Sequence, residues 1–521
     1  MASRKIENSS QSFKTLRTQN AVYVDKTQYL LDLIDDNKFY LLSRPRRFGK
    51  SLTLSTFESL FEGEKELFQG LAAAKWFDRP DYKPYTVISL DMSSVTIEFG
   101  AKRMEGQLIS ALNICAKFKK ISPKSKESST AFADLIADAF LLNNEQVVLL
   151  IDEYDKPLLD SIDNPENYNE TRKILQNFYS QIKVLDEYIK FGFVVGISKR
   201  GKAGISSVLN NFRDITYEEK YSRICGFTEE ELKGCLSPSI TECAEMLGRS
   251  FDDLLLEIKK YYYGYSFDGV TRVYTPYSIL SFLKTGKFSN FWYDTATPTF
   301  LKKYFFDKKI LIEDFINYRI GSPRFLYPEE FYDDPALYLF QTGYLTIKEK
   351  INDTTYLLDY PNEEVLASIS RLIADSFFSD LDKAQKSFSN ITAALEACDI
   401  VATTAEFNIV IDGCGYDTNA ELAKVKGLKS EFLYRDLIAI FLYGTYKVDV
   451  CRESLGAKGR TDLLLKYAGR TFIFEIKVAY ASNEIAKKLE EAITQIHERK
   501  YANWQFFTTD IVDAVAVVID N

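Results

Sequence analysis

Three charged residues near the end of the chain have types and a spacing that suit metal-dependent chemistry. Asp462, Glu475 and Lys477 lie in two otherwise apolar, strand-like runs separated only by Ala468-Gly469, which is a two-residue hairpin signal. A hairpin closed by that turn places Asp462 opposite Glu475 on one side of the sheet, and Lys477 shares that side. We therefore expect two carboxylates and one ammonium group to face the same point.

Two carboxylates about 4 Å apart repel each other by about 4 kcal/mol at an effective dielectric of about 20, so we expect a cation between Asp462 and Glu475. Mg²⁺ is the fitting ion because it takes oxygen ligands, and Mn²⁺ is an alternative. Lys477 can then steady the attacking water and offset the charge of a scissile phosphate, as phosphodiester hydrolysis requires. The alternative is an exposed hairpin in which Lys477 only bridges two carboxylates.

A second charged segment, Arg44-Pro45-Arg46-Arg47-Phe48-Gly49-Lys50-Ser51, lies between an apolar strand-like run and a helix-like run. A strand, a tight loop ending in Gly-Lys-Ser and a helix are typical of a phosphate-binding loop. We expect the loop from Arg46 to Ser51 to bind ATP, with Lys50 reaching the phosphate oxygens and Ser51 ligating Mg²⁺. The alternatives are a lysine that only caps a helix and, for Arg46 and Arg47, a solvated basic loop.

An acidic pair and a polar segment further along the chain fit the same nucleotide site. Asp152 and Glu153 follow the apolar run 147–151, which predicts a buried parallel strand that ends in two carboxylates. We expect Asp152 to help hold Mg²⁺ and Glu153 to orient or deprotonate the attacking water. Ser198 and Arg200 follow another apolar run, where a γ-phosphate sensor is expected. The alternative for the acidic pair is an ordinary strand end.

The composition excludes several classes of function. The chain has 521 residues and one histidine, His497, so histidine-rich metal sites and two-histidine phosphodiester chemistry are excluded. Its seven cysteines are scattered without a Cys-x-x-Cys pair, which argues against a disulfide framework or a zinc knuckle. The net charge of −9 gives no general attraction to nucleic acid, although ten Lys/Arg stand against seven Asp/Glu between residues 452 and 500.

The order of strand-like and helix-like runs predicts an α/β protein of several domains. Residues 12–227 predict a P-loop NTPase domain with a parallel sheet and its site along the carboxyl edge of the strands. Residues 228–395 predict a helical lid or connector with a small β element. Its aromatic residues 261–265 and Trp292 form either a packed core or a platform on which bases stack. Residues 396–521 predict an α-β-β-β-α-β core.

Several motifs in the first two thirds of the chain are shared with one known family. They are Gln11-Ser12-Phe13, Tyr23-Val24-Asp25-Lys26-Thr27, the loop Ser43 to Ser51, Leu150-Ile151-Asp152-Glu153-Tyr154-Asp155, Leu209-Asn210-Asn211, Tyr263-Gly264-Tyr265, Tyr274-Thr275-Pro276-Tyr277-Ser278, Phe340-Gln341-Thr342-Gly343-Tyr344-Leu345 and Tyr360-Pro361-Asn362-Glu363. In these motifs the chain closely resembles the AAA-ATPase-like family found beside PD-(D/E)XK nuclease domains. Arg44 stands where the general phosphate loop has its first glycine, but Arg-Pro-Arg-Arg-Phe-Gly-Lys-Ser is the usual loop of this family. After the third strand the family more often has Ser-Lys/Arg-Phe-Ser, whereas this chain has Ser198-Lys199-Arg200-Gly201.

The end of the chain resembles the restriction-endonuclease-like core of the PD-(D/E)XK nucleases. The match rests on the order of the elements and on the motifs Thr461-Asp462-Leu463-Leu464 and Phe474-Glu475-Ile476-Lys477-Val478. The resemblance implies that Glu431 is an additional acid and that Gln495 and Tyr501 contact phosphate or brace the metal site. The alternative for the last two is a helix-surface amide and a packed tyrosine.

These patterns predict an ATP-binding and ATP-hydrolysing domain whose nucleotide state gates an attached Mg²⁺-dependent nuclease. The rival is a regulatory NTPase whose nuclease-like domain binds nucleic acid without cutting it. ATP and nucleic acid are the expected partners, with DNA favoured over RNA, and a homo-oligomer remains an open alternative. No apolar run approaches the roughly 20 residues that cross a bilayer, and no secretory signal begins the chain, so we expect a cytoplasmic protein without a membrane partner.

Overall fold

A computed structural model of the chain describes the following residues: 4–121, 125–161, 164–197, 205, 208–292, 305, 307–321, 335–377, 381–413, 430–444, 449–452, 455–456, 459–460, 462–467, 470–499 and 511–520. The chain divides into two compact units. The first unit is Met1–Trp292 with Asn317–Glu363, and the second is Tyr293–Ile316 with Glu364–Asn521.

Strands and helices alternate over the first half of the first unit. Its described α-helices are α1 (Phe13–Thr18), α2 (Thr27–Asp36), α3 (Lys50–Phe61), α4 (Ala101–Phe118), α5 (Ser128–Asn143), α6 (Lys156–Asp160), α7 (Pro165–Val184), α8 (Glu229–Cys235), α9 (Ser237–Met246), α10 (Phe251–Tyr262), α11 (Pro276–Thr285) and α12 (Pro335–Thr342). Its described strands are β1 (Phe39–Ser43), β2 (Val87–Asp91), β3 (Val147–Asp152), β4 (Ile189–Gly196), β5 (Arg213–Asp214), β6 (Tyr318–Gly321), β7 (Thr346–Asn352) and β8 (Thr355–Asp359).

Five strands of the first unit form a parallel sheet in the order β2-β3-β4-β1-β5. The strands β1, β3 and β4 are buried along almost their whole length, as the continuous apolar runs predicted. Because β4 separates β1 from β3, the loop after β1 and the acids at the end of β3 flank the carboxyl end of β4. The predicted parallel sheet with polar groups along one edge is confirmed.

The later part of the first unit adds a small antiparallel sheet in the order β6-β8-β7. It corresponds to the small β element predicted for the connector. Among the aromatic residues before it, Tyr262, Tyr265 and Trp292 have at most 1% of their surface exposed. Their burial supports the packed-core alternative over an open platform for bases.

A partly buried ion pair joins the segment before α2 to helix α8. Lys26 Nζ donates to both carboxylate oxygens of Glu231, at 2.6 and 2.7 Å. Glu231 also completes a capping box with Thr228 at the start of α8. Burial lowers the pKa of the Lys26 ammonium, and the Glu231 carboxylate opposes that change. Removing either partner would leave the other as a poorly solvated charge.

The second unit contains a helical part and a four-stranded sheet. Its described α-helices are α13 (Glu363–Phe377), α14 (Leu381–Glu396), α15 (Ile400–Gly413), α16 (Ser430–Tyr443) and α17 (Ile485–Arg499). Its described strands are β9 (Asp449–Arg452), β10 (Leu455–Gly456), β11 (Gly459–Arg460), β12 (Leu463–Tyr467), β13 (Arg470–Ala479) and β14 (Ile511–Asp520).

The sheet of the second unit has the strand order β14-β13-β12-β9. β12 pairs antiparallel with β13, from Leu463 opposite Phe474 to Tyr467 opposite Arg470, and β14 runs parallel to β13. This is the register that the two-residue turn predicted. With α16 before β9 and α17 between β13 and β14, the predicted α-β-β-β-α-β order is confirmed, with the short hairpin β10–β11 inserted.

The predicted domain boundaries at 227 and 395 remain predictions. The two compact units divide the chain elsewhere, and the predicted connector 228–395 contributes residues to both. Within the part of the chain that the structure describes, no helix is both long enough and apolar enough to cross a membrane.

Candidate nucleotide site and candidate metal centre

The loop between β1 and α3 has the backbone geometry of an anion cradle. Gly49 caps α3 with φ of 95°, and Arg47 also has a positive φ of 67°. The left-handed turn lets helix α3 begin at Lys50, so the first N–H groups of the helix point towards the loop. Such N–H groups attract phosphate oxygens.

The Lys50 ammonium already lies inside this loop. Lys50 Nζ donates to the carbonyl oxygens of Arg44 and Pro45, at 3.0 and 2.9 Å. Burial lowers the pKa of Lys50, while the charges of Asp152 and Glu153 oppose that change. Lys50 is thus held by carbonyls of its own loop beside the acidic pair, and its contact with a phosphate remains a prediction.

Arg44 is an internal brace of the loop. Its guanidinium has 1% of its surface exposed and donates to the carbonyls of Ser43, Thr216 and Tyr221, at 2.9, 2.7 and 3.2 Å. It also lies over the ring of Phe267, 4.0 Å from the ring centroid. Arg44 therefore occupies the position that the general motif gives to glycine, and its side chain turns into the protein interior.

The acids at the end of β3 meet the loop as expected. The Ser51 hydroxyl hydrogen-bonds the Asp152 side chain, and Asp152 Oδ1 accepts from the Glu153 N–H at 2.9 Å. Burial raises the pKa of Asp152, against the opposing effects of Ser51 and Lys50. Burial also raises the pKa of Glu153, which has a positive φ of 51°. A carboxylate whose pKa is raised is a better base than an ordinary one.

The other predicted loop residues have separate surroundings. The Arg46 charge opposes the rise in the pKa of Glu153, so this arginine lies near the acidic pair. Arg47 lies over the ring of Tyr277, 4.8 Å from its centroid. Phe48 is buried and packs edge-on against Tyr265, with centroids 4.8 Å apart. Ser198 and Arg200 lie outside the described residues.

One residue of this site was not assigned a role from the sequence. Asp155 is fully buried, and its carboxylate accepts from the N–H of Ile197 with both oxygens, at 3.2 and 3.1 Å. A Cβ on Gly196 would lie 2.3 Å from Asp155 Oδ1, so only glycine permits this approach. The contact fixes the end of β4 to the turn that carries Asp152 and Glu153. Asp155 is the last residue of the motif Asp152-Glu153-Tyr154-Asp155, and this position was the signal in the sequence that could have identified it.

The hairpin of the second unit brings its three charged residues together. Asp462 directly precedes β12, and its Oδ2 accepts from the N–H of Ile476 at 2.8 Å. Lys477 Nζ donates to Glu475 Oε1 at 2.9 Å, and Glu475 has no exposed surface. Asp462 is thus held across from the Glu475–Lys477 pair, in the predicted register.

The structure describes only some of the three predicted accessory residues, which are Glu431, Gln495 and Tyr501. The backbone of Glu431 lies in α16, but its side chain is outside the described residues, as is all of Tyr501. Gln495 is half-buried on α17. Over the described ranges, no group of three or more His, Cys, Asp or Glu side chains is arranged to hold a metal ion.

Comparison with known proteins identifies the family to which the chain belongs. The family model described as Predicted AAA-ATPase matches residues 9–206, and that of the PD-(D/E)XK nuclease superfamily matches residues 429–521. A protein of Azotobacter chroococcum mcd 1, described as an uncharacterized protein in the vnfD 5′ region, is 31% identical over 511 residues. The alignment covers 96% of this chain and 94% of that protein. The chain belongs to the AAA-ATPase-like family with a PD-(D/E)XK nuclease domain. No solved structure matches it.

The donor groups of this AAA-ATPase-like chain suit a divalent cation. In the nucleotide site, the Ser51 hydroxyl and the Asp152 carboxylate are hydrogen-bonded neighbours, and both are oxygen ligands of the kind that Mg²⁺ prefers. In the PD-(D/E)XK nuclease domain, Asp462 and Glu475 supply carboxylates on one side of a hairpin. Two protein ligands are enough where waters and substrate phosphates fill the remaining positions.

Proposed function

We propose that the first unit binds ATP with Mg²⁺ and hydrolyses it. Lys50 and the N–H groups at the start of α3 would hold the phosphates, with Arg46 and Arg47 at the rim of the loop. Ser51 and Asp152 would hold Mg²⁺, which neutralises phosphate charge when bound. The burial of Lys50 beside Asp152 and Glu153 is the observation that carries this proposal.

Glu153 is the proposed base of this reaction. Burial raises its pKa, and its N–H donates to Asp152 Oδ1, so Glu153 would orient or deprotonate a water beside a bound Mg²⁺. Asp155 would keep the turn that carries Glu153 at a fixed distance from the end of β4. Ser198 and Arg200 remain proposed γ-phosphate sensors.

We further propose that the second unit hydrolyses phosphodiester bonds of nucleic acid, DNA in preference to RNA. Asp462 and Glu475 would hold Mg²⁺, or Mn²⁺ in its place, which activates water when bound. Lys477 would then offset charge on the scissile phosphate. The β12–β13 register supports this assignment, because it puts all three groups at one end of the hairpin. Glu431, Gln495 and Tyr501 stay proposed accessory residues.

Nucleotide state would gate this nuclease. The second candidate function is a regulatory NTPase whose nuclease-like domain binds nucleic acid without cutting it. The observation that favours it is the burial and ion pairing of the Glu475 carboxylate. Glu475 has no exposed surface and is paired with Lys477, so its own charge is balanced without a metal ion, while Asp462 accepts from a backbone N–H. A divalent ion would have to displace the ammonium before cutting could begin.

The test is a cleavage assay on plasmid, linear DNA, single-stranded DNA and RNA, with Mg²⁺, with and without ATP. We expect Asp462→Ala to abolish cutting and Lys50→Ala to abolish its dependence on ATP. The matched control is Asp513→Ala, which removes a carboxylate from the neighbouring strand β14, where Asp513 pairs with Phe472. Undiminished cutting by Asp462→Ala would sink the nuclease assignment. Binding without cutting by the unmodified protein would favour the second candidate.

A further inference from the structure

A small cavity lies behind the phosphate loop. Its volume is about 10 Å³, about one water molecule. The residues around it come from the loop, from the strand ends and from the segment that carries α12; they are Ser43, Arg44, Pro45, Ile197, Thr216, Tyr217, Phe267, Phe340 and Gln341. The cavity therefore joins the phosphate loop to a part of the chain that the nucleotide chemistry does not use.

Gln341, near the end of α12, is the unusual member of this group. Its side chain is 5% exposed, and within the described part of the chain neither its Oε1 nor its Nε2 has a hydrogen-bond partner. The same holds for Arg44 Nε on the loop side. Burying a carboxamide without partners destabilises a fold, so a leucine of similar size would suit this state better. Among the described residues, the Gln341 carboxamide is therefore a buried donor and acceptor that no protein group uses in this state.

The segment that follows Gln341 packs directly on the loop. A Cβ on Gly343, whose φ is 95°, would lie 2.6 Å from Pro45 Cβ. The Gly343 carbonyl accepts from the Tyr265 hydroxyl at 3.0 Å, and Trp292 Nε1 donates to the Arg46 carbonyl at 3.2 Å. Trp292 also packs edge-on against Tyr344, so it links the Arg46 backbone to this segment.

Binding of a phosphate changes the hydrogen bonds of the loop. Lys50 Nζ now donates to the carbonyls of Arg44 and Pro45. When the ammonium turns to a phosphate, these two carbonyls lose their donor in a buried place, which is costly unless another donor replaces it. The Gln341 carboxamide is an unpaired donor lining the same cavity as Arg44 and Pro45.

We propose that Gln341 senses occupancy of the phosphate loop, by donating, directly or through one water, to the loop carbonyls that Lys50 releases when it binds a phosphate. This inference rests on the proposed binding of ATP. The chain continues from Gln341 through the hairpin β7–β8 to Glu363, where α13 begins, so the sensor lies on the covalent path into the second unit.

A double-mutant cycle on thermal unfolding tests the donor exchange without any nucleotide. In the otherwise unmodified protein, Gln341→Leu should leave the unfolding midpoint unchanged or raise it, because an unpaired amide is removed. In a Lys50→Met background the carbonyls have already lost their ammonium, so Gln341→Leu should lower the midpoint by about 1–3 °C. Lys50→Ala provides a second background if Lys50→Met does not fold. Shifts of the same sign and size in both backgrounds overturn the proposal.

Calorimetric titration with ATP and Mg²⁺ gives the second readout. We expect Gln341→Leu to weaken ATP binding about two- to tenfold, the equivalent of one hydrogen bond. The matched control is Thr342→Val on the same helix, whose hydroxyl donates to the Tyr338 carbonyl within α12, and it should bind ATP within about twofold of the unmodified protein. Unchanged ATP affinity in Gln341→Leu overturns the sensor while leaving the proposed function intact. Absence of ATP binding by the unmodified protein overturns both.

Discussion

Replacing Arg44 by glycine would give the loop the residue that the general phosphate-binding motif has at this position. If Arg44 were only a tolerated substitute for that glycine, Arg44→Gly should be neutral or should improve nucleotide binding. The structure predicts the opposite. The guanidinium is the donor for the carbonyls of Ser43, Thr216 and Tyr221, which lie on both sides of the loop base.

The expected loss follows from those contacts. Three hydrogen bonds from a charged donor are worth at least about 1.5 kcal/mol each, and the contact with the Phe267 ring adds about 1–2 kcal/mol. Burial lowers the pKa of Arg44 to about 10, well below its usual range, which corresponds to a cost of about 3 kcal/mol for keeping the charge inside. The difference is a net destabilisation of about 3 kcal/mol for Arg44→Gly.

The assay is equilibrium unfolding of the first unit by urea, followed by tryptophan fluorescence and circular dichroism, together with ATP titration. Arg46→Gly is the matched control. Its side chain is half-buried in the same loop, and its substitution should change the stability by at most about 1 kcal/mol while weakening ATP binding. A loss below about 1 kcal/mol for Arg44→Gly, or tighter ATP binding, would refute the role of Arg44 as a brace.

Three further substitutions probe other contacts. Gly196→Ala should destabilise the first unit by more than about 3 kcal/mol in urea unfolding, because the new Cβ would lie 2.3 Å from Asp155 Oδ1. Lys26→Met should cost about 1–2 kcal/mol, because Glu231 loses its ammonium partner but keeps the Thr228 N–H and some contact with water, and adding Glu231→Gln should restore part of that loss. Asp462→Asn keeps an oxygen that can accept from the neighbouring strand, so the thermal unfolding midpoint should hold while nucleic-acid cleavage falls at least about a hundredfold.

Each of these has a control in the same chain. Gly106→Ala lies in helix α4 with no atom within 4 Å of the new Cβ, so it should stabilise by about 0.5–1 kcal/mol where Gly196→Ala destabilises. Lys233→Met removes an exposed lysine that pairs with Glu229 on the surface of α8 and should cost at most about 1 kcal/mol. Asp513→Asn should leave cleavage unchanged. Equal effects of a variant and its control would contradict the contact that the pair was chosen to test.

The sheet elements and the hairpin register were predictable because they depend on local signals. Five-residue apolar runs such as Phe39–Ser43 have few alternatives to a buried parallel strand. The Ala468-Gly469 turn limits how the two flanking strands can pair, and the apolar runs on either side of it favour two strands that are buried on both faces. The observed pairing of Leu463 with Phe474 follows from these two constraints.

The roles of Arg44 and Gln341 were not predictable, because both depend on chain segments far away in the sequence. An arginine beside a phosphate loop suggests an anion ligand, and only the positions of Thr216 and Tyr221 show that its guanidinium turns inward. Gln341 belongs to a motif that resembles the family pattern, but its type and spacing do not indicate that it lines a cavity beside Pro45. Such roles need the packing of segments that are hundreds of residues apart.

In both candidate sites a lysine donates hydrogen bonds to protein oxygens, but the two lysines would lose different partners on binding a phosphate. Lys50 donates to two neutral carbonyls, so a phosphate bearing negative charge is a better partner, and ATP binding should persist, more weakly, in EDTA. Lys477 is paired with the full charge of Glu475 in a buried place, so it should meet a phosphate only after a metal ion has taken over that carboxylate.

The order of binding at the hairpin is therefore testable. Nucleic acid should bind the Lys477 site only with Mg²⁺ or Mn²⁺ present, whereas Glu475→Gln removes the competing charge and should allow binding in EDTA without any cutting. The measurement is fluorescence anisotropy of a labelled DNA duplex, with Lys477→Met in the Glu475→Gln background as the control that should lose this binding again. Metal-independent binding by the unmodified protein, equal to that of Glu475→Gln, would mean that the ion pair does not hold the lysine back. The hairpin would then not require the metal ion to come first.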